Sequence, residues 1–337
     1  MGRGRTHRLS PERAARLRRA LARLERSSSP RRRVPLDPVS LPHRYRDPRD
    51  IEVAGLLAAS LAYGRADLFL PKVERLLEGM GPSPAAFVRG LTPARARALL
   101  SGFVYRFNVG ADVAVLLLGM GRMLVRRGSL EAGFVAARAA AGDELHGALG
   151  GFVRELREVD LAAVERVLGK TRGLDHLLPV PLGAGAAKRL HLFLRWMVRG
   201  PDEVDLGVWK QVPASALLVP LDTHIARLAW RLGLVRRRTM GWAAAEDITR
   251  NLSVIDPGDP VRFDFVLCHH GMSGACPPRA RAELCARCVL RAECSVGRRL
   301  VPQPVETSAA ATAAAPSRSG PAPRSTVTRT QDASWVR

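Results

Sequence analysis

Leu177-Leu178-Pro179-Val180-Pro181-Leu182-Gly183-Ala184-Gly185-Ala186-Ala187-Lys188 reads as a tight turn feeding a helix. Its two glycines let backbone approach a ligand closely, and the free N–H groups of a helix start favour a phosphate. Beyond the turn, Leu190, Phe193, Leu194 and Met197 recur at i, i+3, i+4 and i+7, the buried stripe of a helix. Lys188, His191, Arg195 and Arg199 share its opposite face. A lone Gly-x-Gly fits a plain helix connection with a solvated basic face equally well, so the neighbours decide.

Upstream, apolar spacing of helical period recurs with few interruptions. Asp50 can cap a helix from Ile51 through Leu61, which Gly64 interrupts before a second helix through Leu68, Val73 and Leu77 ends near Gly79. Pro93 opens a short helix, Asp112 to Val125 is apolar enough to be buried, and Ala132 to Ala140 and Asp143 to Leu156 are amphipathic. No stretch alternates apolar and polar residues with β-branched enrichment, so an all-α fold is expected, without a sheet.

Downstream, Ala216 to Leu221 is an apolar approach to Asp222-Thr223-His224, where Asp222 or Thr223 can cap a helix through Leu228 and Leu232. A carboxylate at the end of such a segment can act as base or stabilise a cation in a low-dielectric cleft. As an isolated feature it is simply a cap. Beyond it, Cys276, Cys285, Cys288 and Cys294 fall within nineteen residues, spaced C-x8-C-x2-C-x5-C, with Cys268 the one other cysteine. Four thiolates so close together can surround an iron–sulfur cube or a zinc ion. Close cysteine pairs at both ends typify structural zinc, and Cys276 has no near partner, which favours iron–sulfur. No secretory signal is evident, so reduced thiols are expected, not disulfides.

The chain of 337 residues carries a net charge of +22. Residues 1–33 hold twelve arginines against two glutamates; Pro11 to Arg26 could form a helix with leucines at 17, 21 and 24, but its flanks are linker-like, and the whole reads as a basic, flexible arm. Residues 302–337, rich in Ala, Pro, Ser and Thr, read as a disordered tail. The body at 34–301 is itself basic, which attracts polyanions, although part of the arginine excess fits a GC-rich genome. There are only four lysines, Lys72, Lys170, Lys188 and Lys210, against forty-nine arginines. Arginine cannot supply a deprotonatable amine, so each lysine is a better chemical candidate than usual. No apolar run approaches the ~18 residues of a membrane span, and a cytoplasmic, nucleoid-associated monomer is expected.

Glycine hairpin, Asp-Thr-His, His270-Gly271 and four cysteines, in that order, resemble the helix-hairpin-helix DNA glycosylases of the endonuclease III type. More closely, the chain resembles a bacterial conserved-hypothetical family distantly related to them. The resemblance covers roughly 40–300 and includes Leu56-Leu57-Ala58-Ala59-Ser60 of the first core helix. It implies two helical lobes, a core lobe at about 51–221 and a cluster lobe of 34–50 plus 222–301. It further implies a [4Fe-4S] cluster on Cys276, Cys285, Cys288 and Cys294, with zinc as the alternative. Three departures stand out: the first cysteine gap is x8 where the pattern has x6, Leu182 replaces the hairpin proline, and Ala187 occupies the position of the catalytic lysine. Lys188 follows one residue later.

The activity so implied is N-glycosylase action on a damaged or mismatched base in double-stranded DNA, with or without abasic-site lyase activity. The alternative is a non-catalytic nucleic-acid-binding iron–sulfur protein on the same scaffold. Asp222 would stabilise the oxocarbenium-like sugar or activate a nucleophile. Lys188, then Lys210 beside Trp209, which could help fill or wedge a base stack, are the candidate amines, with Lys170 an outsider. Gly183, Gly185, Arg195, Arg279 and Arg281 are the candidate DNA contacts, and Ser60, Tyr63 and Arg65 the candidate base pocket. Cys268 is expected to be a buried core thiol, and His269 and His270 to serve the helix that packs on the cluster.

Overall fold

The computed structural model describes residues 7–181, 183 and 185–302. The tail from residue 303, the first six residues of the arm, and Leu182 and Ala184 of the hairpin lie outside the described residues. Helices dominate, as the apolar periodicity predicts. The first six are α1 (Pro11–Ser27), α2 (Pro30–Arg33), α3 (Pro48–Leu61), α4 (Ala66–Met80), α5 (Pro84–Arg89) and α6 (Pro93–Leu100). A minimal antiparallel ladder follows, β1 (Val104–Tyr105) against β2 (Asn108–Val109). It corrects the expectation of no sheet: two residues a side are too few to leave an alternating pattern.

After the ladder come α7 (Gly110–Arg127), α8 (Leu130–Ala140), α9 (Leu145–Arg157), α10 (Leu161–Leu168) and α11 (Leu174–Leu177). The hairpin then leads into α12 (Lys188–Val198), and the Asp-Thr-His turn into α13 (Thr223–Leu232). The chain continues through α14 (Trp242–Ile255), α15 (Asp264–Met272), α16 (Ala282–Arg287) and α17 (Ser295–Leu300). No helix among the described residues is long and apolar enough to cross a membrane.

The centre of the core is α3, buried from Asp50 to Leu61 on every face, the condition of a helix enclosed by neighbours. Its cap is Asp47, which accepts the Arg49 N–H at 2.7 Å. Asp50, the expected cap, instead accepts from Ser83 Oγ and Ala85 N at 2.8 Å each, tying α3 to α5. Helix α12 lies on α3 where Gly55 leaves room, since a Cβ there would come 2.8 Å from Met197 Cε. Glu52, fully buried, accepts the N–H groups of Leu130 and Glu131 at 3.1 and 3.0 Å and the Trp209 indole N–H at 2.8 Å. Trp209 is therefore a core anchor, not the stacking or wedging side chain its place beside Lys210 suggested.

The arm is not flexible from Leu9 onward. Residues up to Pro302 form one compact unit, and α1 buries Leu17, Leu21 and Leu24. Its packing partner is α14. Arg13 donates to the Leu232 carbonyl at 2.8 Å, and Arg262 pairs with Glu25 at 2.9 Å. The three leucines fall on one face of α1, while Arg16, Arg18, Arg19, Arg23 and Arg26 are exposed.

Candidate functional site

One cleft, of about 720 Å³, gathers Asp37, Lys188, Asp222, Asp264, Cys268 and His269 among its lining residues. Helices α12, α13 and α15 supply most of them. Asp222 is the N-cap of α13, and its Oδ1 accepts the N–H groups of His224 and Ile225 at 2.9 and 2.8 Å. The cap thus occupies one carboxylate oxygen and leaves the other for chemistry. Oδ2 lies 3.5 Å from Lys188 Nζ and 3.5 Å from Cys268 Sγ. The Lys188 side chain is 38% exposed and that of Asp222 13%, so the pair sits at the cleft mouth with its acid facing inward.

Lys188 takes this position because of the residue before it. Ala187 adopts a left-handed φ of 45° as the N-cap of α12, a conformation that costs an L-residue about 1–2 kcal/mol. Its carbonyl accepts from Leu190 and His191 N–H at 3.0 and 3.2 Å, so the helix begins at Lys188. The next residue, Arg189, points inward and donates to the Ser60 and His176 carbonyls. Burial lowers its pKa to about 10. It stacks 5.2 Å from the Tyr63 ring, whose hydroxyl burial pushes up to about 12. Tyr63 thus belongs to this packed cluster beside the cleft, whereas Gly64 lines the cleft itself.

Other lysines stand elsewhere. Lys210 donates from Nζ to the Gly207 carbonyl at 2.6 Å, and Lys170 pairs with Glu165 at 2.5 Å. Neither lines the cleft. Arg195 corrects the sequence reading: it is 3% exposed, donates to Asp205 at 3.0 Å and to Asp264, and cannot reach a phosphate. The face it shares with Lys188 is not solvated, because His191 is also buried and Arg199 is held by Asp202, Asp205 and Asp259. Burial works against the Arg195 charge, but the Asp205 and Asp264 carboxylates outweigh it and raise its pKa.

Asp264 is the cleft residue that sequence reasoning missed. It is buried, its Oδ1 has no hydrogen-bond partner among the described residues, and burial raises its pKa to about 6 despite Arg195. A signal existed, since Asp264 and Cys268 are i and i+4 on α15 and so share a face. Cys268, expected to be a buried core thiol, packs against the core and also lines the cleft wall. Burial, and then the Asp222 and Asp264 charges, push its pKa well up and keep it protonated. His269 pairs with Asp37 at 3.2 Å, a long-range contact with no local signature.

The four clustered cysteines are free thiols that line one small pocket, beneath Arg231. Arg231 donates to Cys276 Sγ at 2.9 Å and to the Pro278 carbonyl at 2.7 Å. The Gly297 N–H meets Cys294 Sγ at 3.2 Å, and His270 Nε2 stands 3.6 Å from Cys288 Sγ. Arg231 is buried, with no carboxylate partner among the described residues. Burial raises the pKa of Cys285 and Cys288, while the Arg231 guanidinium and the Gly297 N–H are the donors aimed at sulfur. Among the described residues no three His, Cys, Asp or Glu side chains converge tightly enough for a single metal ion. Arg279 and Arg281 are exposed beside the pocket, as are Gly183 and Gly185 at the hairpin.

No curated protein and no solved structure matches the chain. A family profile described as Protein of unknown function (DUF2400) matches residues 37–273. That span holds Asp37, Lys188, Asp222, Asp264, Cys268 and His269, and ends before Cys276. Because it covers well over half of the 337 residues, the chain belongs to the DUF2400 family.

Proposed function

We propose that the protein is a DNA base-excision enzyme, an N-glycosylase acting on a damaged or mismatched base, on a scaffold of the helix-hairpin-helix glycosylase kind with two lobes and a C-terminal four-cysteine loop. The observation that carries this reading is the pairing of Lys188 Nζ with Asp222 Oδ2 at 3.5 Å in one cleft, while the other candidate lysine, Lys210, is tied to a backbone carbonyl. The order of hairpin, Asp-Thr-His turn and cysteine loop supports it, as does the basic body.

The target nucleotide would leave the duplex and enter the cleft. As the base–sugar bond breaks, its electron pair leaves with the base and positive charge builds on the sugar. Asp222 Oδ2 faces that charge and stabilises it. Water captures the sugar cation and completes base release. For the lyase step, Asp222 takes the ammonium proton from Lys188. The free amine then adds to the aldehyde carbon of the ring-opened sugar, and loss of water gives a Schiff base that permits strand scission. Cys276, Cys285, Cys288 and Cys294 would hold a [4Fe-4S] cluster that staples the loop carrying Arg279 and Arg281.

Borohydride trapping on abasic-site DNA tests the reading. A covalent adduct is expected from wild type and from Lys210→Gln, and none from Lys188→Gln. Asp222→Asn should bind the DNA but release no base. Ala187, standing where the glycosylase pattern places lysine, favours a second reading, a non-catalytic binding protein on the same scaffold. Normal DNA binding without base release or trapping by wild type, across a panel of lesions, would establish that second reading.

A further inference from the structure

A second cavity, of about 980 Å³, adjoins the Asp222 cleft, and Leu36, Phe265 and His269 line both. Its other walls include Ser29, Arg32 and Arg33 from the N-terminal segment, His270 from α15 and Ser273, which follows that helix. No acidic side chain is among its lining residues. Neither Arg32 nor Arg33 makes an ion pair or side-chain hydrogen bond among the described residues, whereas the preceding Arg31 is paired with Glu203 at 2.7 Å. Two unneutralised guanidinium groups, with the Ser29 hydroxyl beside them and no carboxylate in the lining, form a donor set for a phosphate.

The segment that carries them is held in place by α1. Leu17, Leu21 and Leu24 anchor α1, Arg16 pairs with Glu293 at 3.3 Å, and Ser27 and Ser28 both donate to the Leu24 carbonyl, at 2.9 and 2.8 Å. Helix α2 therefore presents Arg32 and Arg33 from a fixed base. We propose that this cavity binds a backbone phosphodiester of the polynucleotide whose flipped nucleotide enters the Asp222 cleft. This rests on the base-excision reading for the identity of the ligand. It makes the N-terminal segment part of the binding surface, not a loose arm.

The test is a salt titration of binding to a duplex bearing a stable abasic-site analogue. It compares wild type with R32A/R33A, R32K/R33K and the matched two-charge control R126A/R127A, whose arginines pair with Glu155 and Glu158. Each phosphate contact contributes roughly 0.9 to the slope of log K against log salt. R32A/R33A is expected to flatten the slope by about one such contact and weaken binding on the order of tenfold. R32K/R33K should restore the slope, and melting temperatures should be unchanged. A slope change no larger than that of R126A/R127A would overturn the proposal. So would protection of wild type, but not R32A/R33A, by pyrophosphate in thermal melts with no effect on duplex binding, which would assign the cavity to a free phosphate. A changed slope without base release or trapping would leave the site standing and remove the glycosylase reading instead.

Discussion

Gly271 lies directly against His224: a Cβ built on the glycine would come 2.8 Å from His224 Cβ and 3.1 Å from its Nδ1. The His-Gly pair of α15 and the Asp-Thr-His turn of α13 are therefore two halves of one helix contact. Close approach there sets Cys268 Sγ 3.5 Å from Asp222 and His270 Nε2 3.6 Å from Cys288 Sγ. One small residue thus couples the cleft to the cysteine loop.

Gly271→Ala should force α13 and α15 apart. Overpacking of this kind costs about 1–3 kcal/mol, a loss of several degrees in a thermal melt. Because the displaced helices carry Asp222 and His270, the variant should also lose iron or zinc more readily on dialysis. Melting and metal retention equal to wild type would show that the contact is slack.

His191 gives the acid sensitivity of the fold. It is enclosed beside Trp242 and His146, and neither ring nitrogen has a partner among the described residues. Burial, with His146 adding to it, depresses its pKa to about 3. The unfolded chain takes up a proton near pH 6.5 and the folded chain does not. Stability is therefore full above that value and lost as pH falls toward 3, with a slope of up to about 1.4 kcal/mol per pH unit. His191→Leu should match wild type at pH 7.5, having broken no hydrogen bond, and lose less stability at pH 5. Urea unfolding of both proteins at the two pH values measures the difference. An identical loss in both would place the acid sensitivity elsewhere.

Much of this was legible in the sequence because the helical stripes are long. The apolar spacing of α7 and α12, and of the Leu17, Leu21 and Leu24 stripe, marks helices that exist. Asp222 and Lys188 could be singled out because a cap signature and a scarce residue type are local signals. Arg195 failed as a DNA contact because the carboxylates that bury it, Asp205 and Asp264, lie 10 and 69 residues away. No helical period encodes such partners. Trp209 failed for the same reason, its indole reaching Glu52 157 residues upstream. The arm was misread when net charge was allowed to outweigh three leucines on one face of a helix.

The sulfur cavity makes a separable prediction. Anaerobically purified protein should be brown, with thiolate-to-iron absorbance and bound iron. Cys285→Ser should lose colour and iron together. Arg231→Met removes the donor to Cys276 Sγ and the buried positive charge beside the thiolates. It should therefore assemble the centre but bleach faster in air than wild type. Stoichiometric zinc in a colourless protein would replace iron as the metal on the same four ligands.

Moving the lysine by one residue separates geometry from mere presence. Ala187 sits at φ 45° and closes the first turn of α12 through its carbonyl, so a side chain there departs in a different direction from that of Lys188. Alanine and lysine both pay for a left-handed backbone, so the exchange A187K/K188A should fold with little change in stability. The glycosylase pattern would place a working lysine at 187, whereas the 3.5 Å approach to Asp222 belongs to Lys188. Borohydride trapping is therefore expected to fall to background in A187K/K188A, as in Lys188→Gln, while affinity for abasic-site DNA stays within a few fold of wild type. Full trapping by the exchanged protein would show that the amine's reach, not its place at the head of α12, is what the cleft requires.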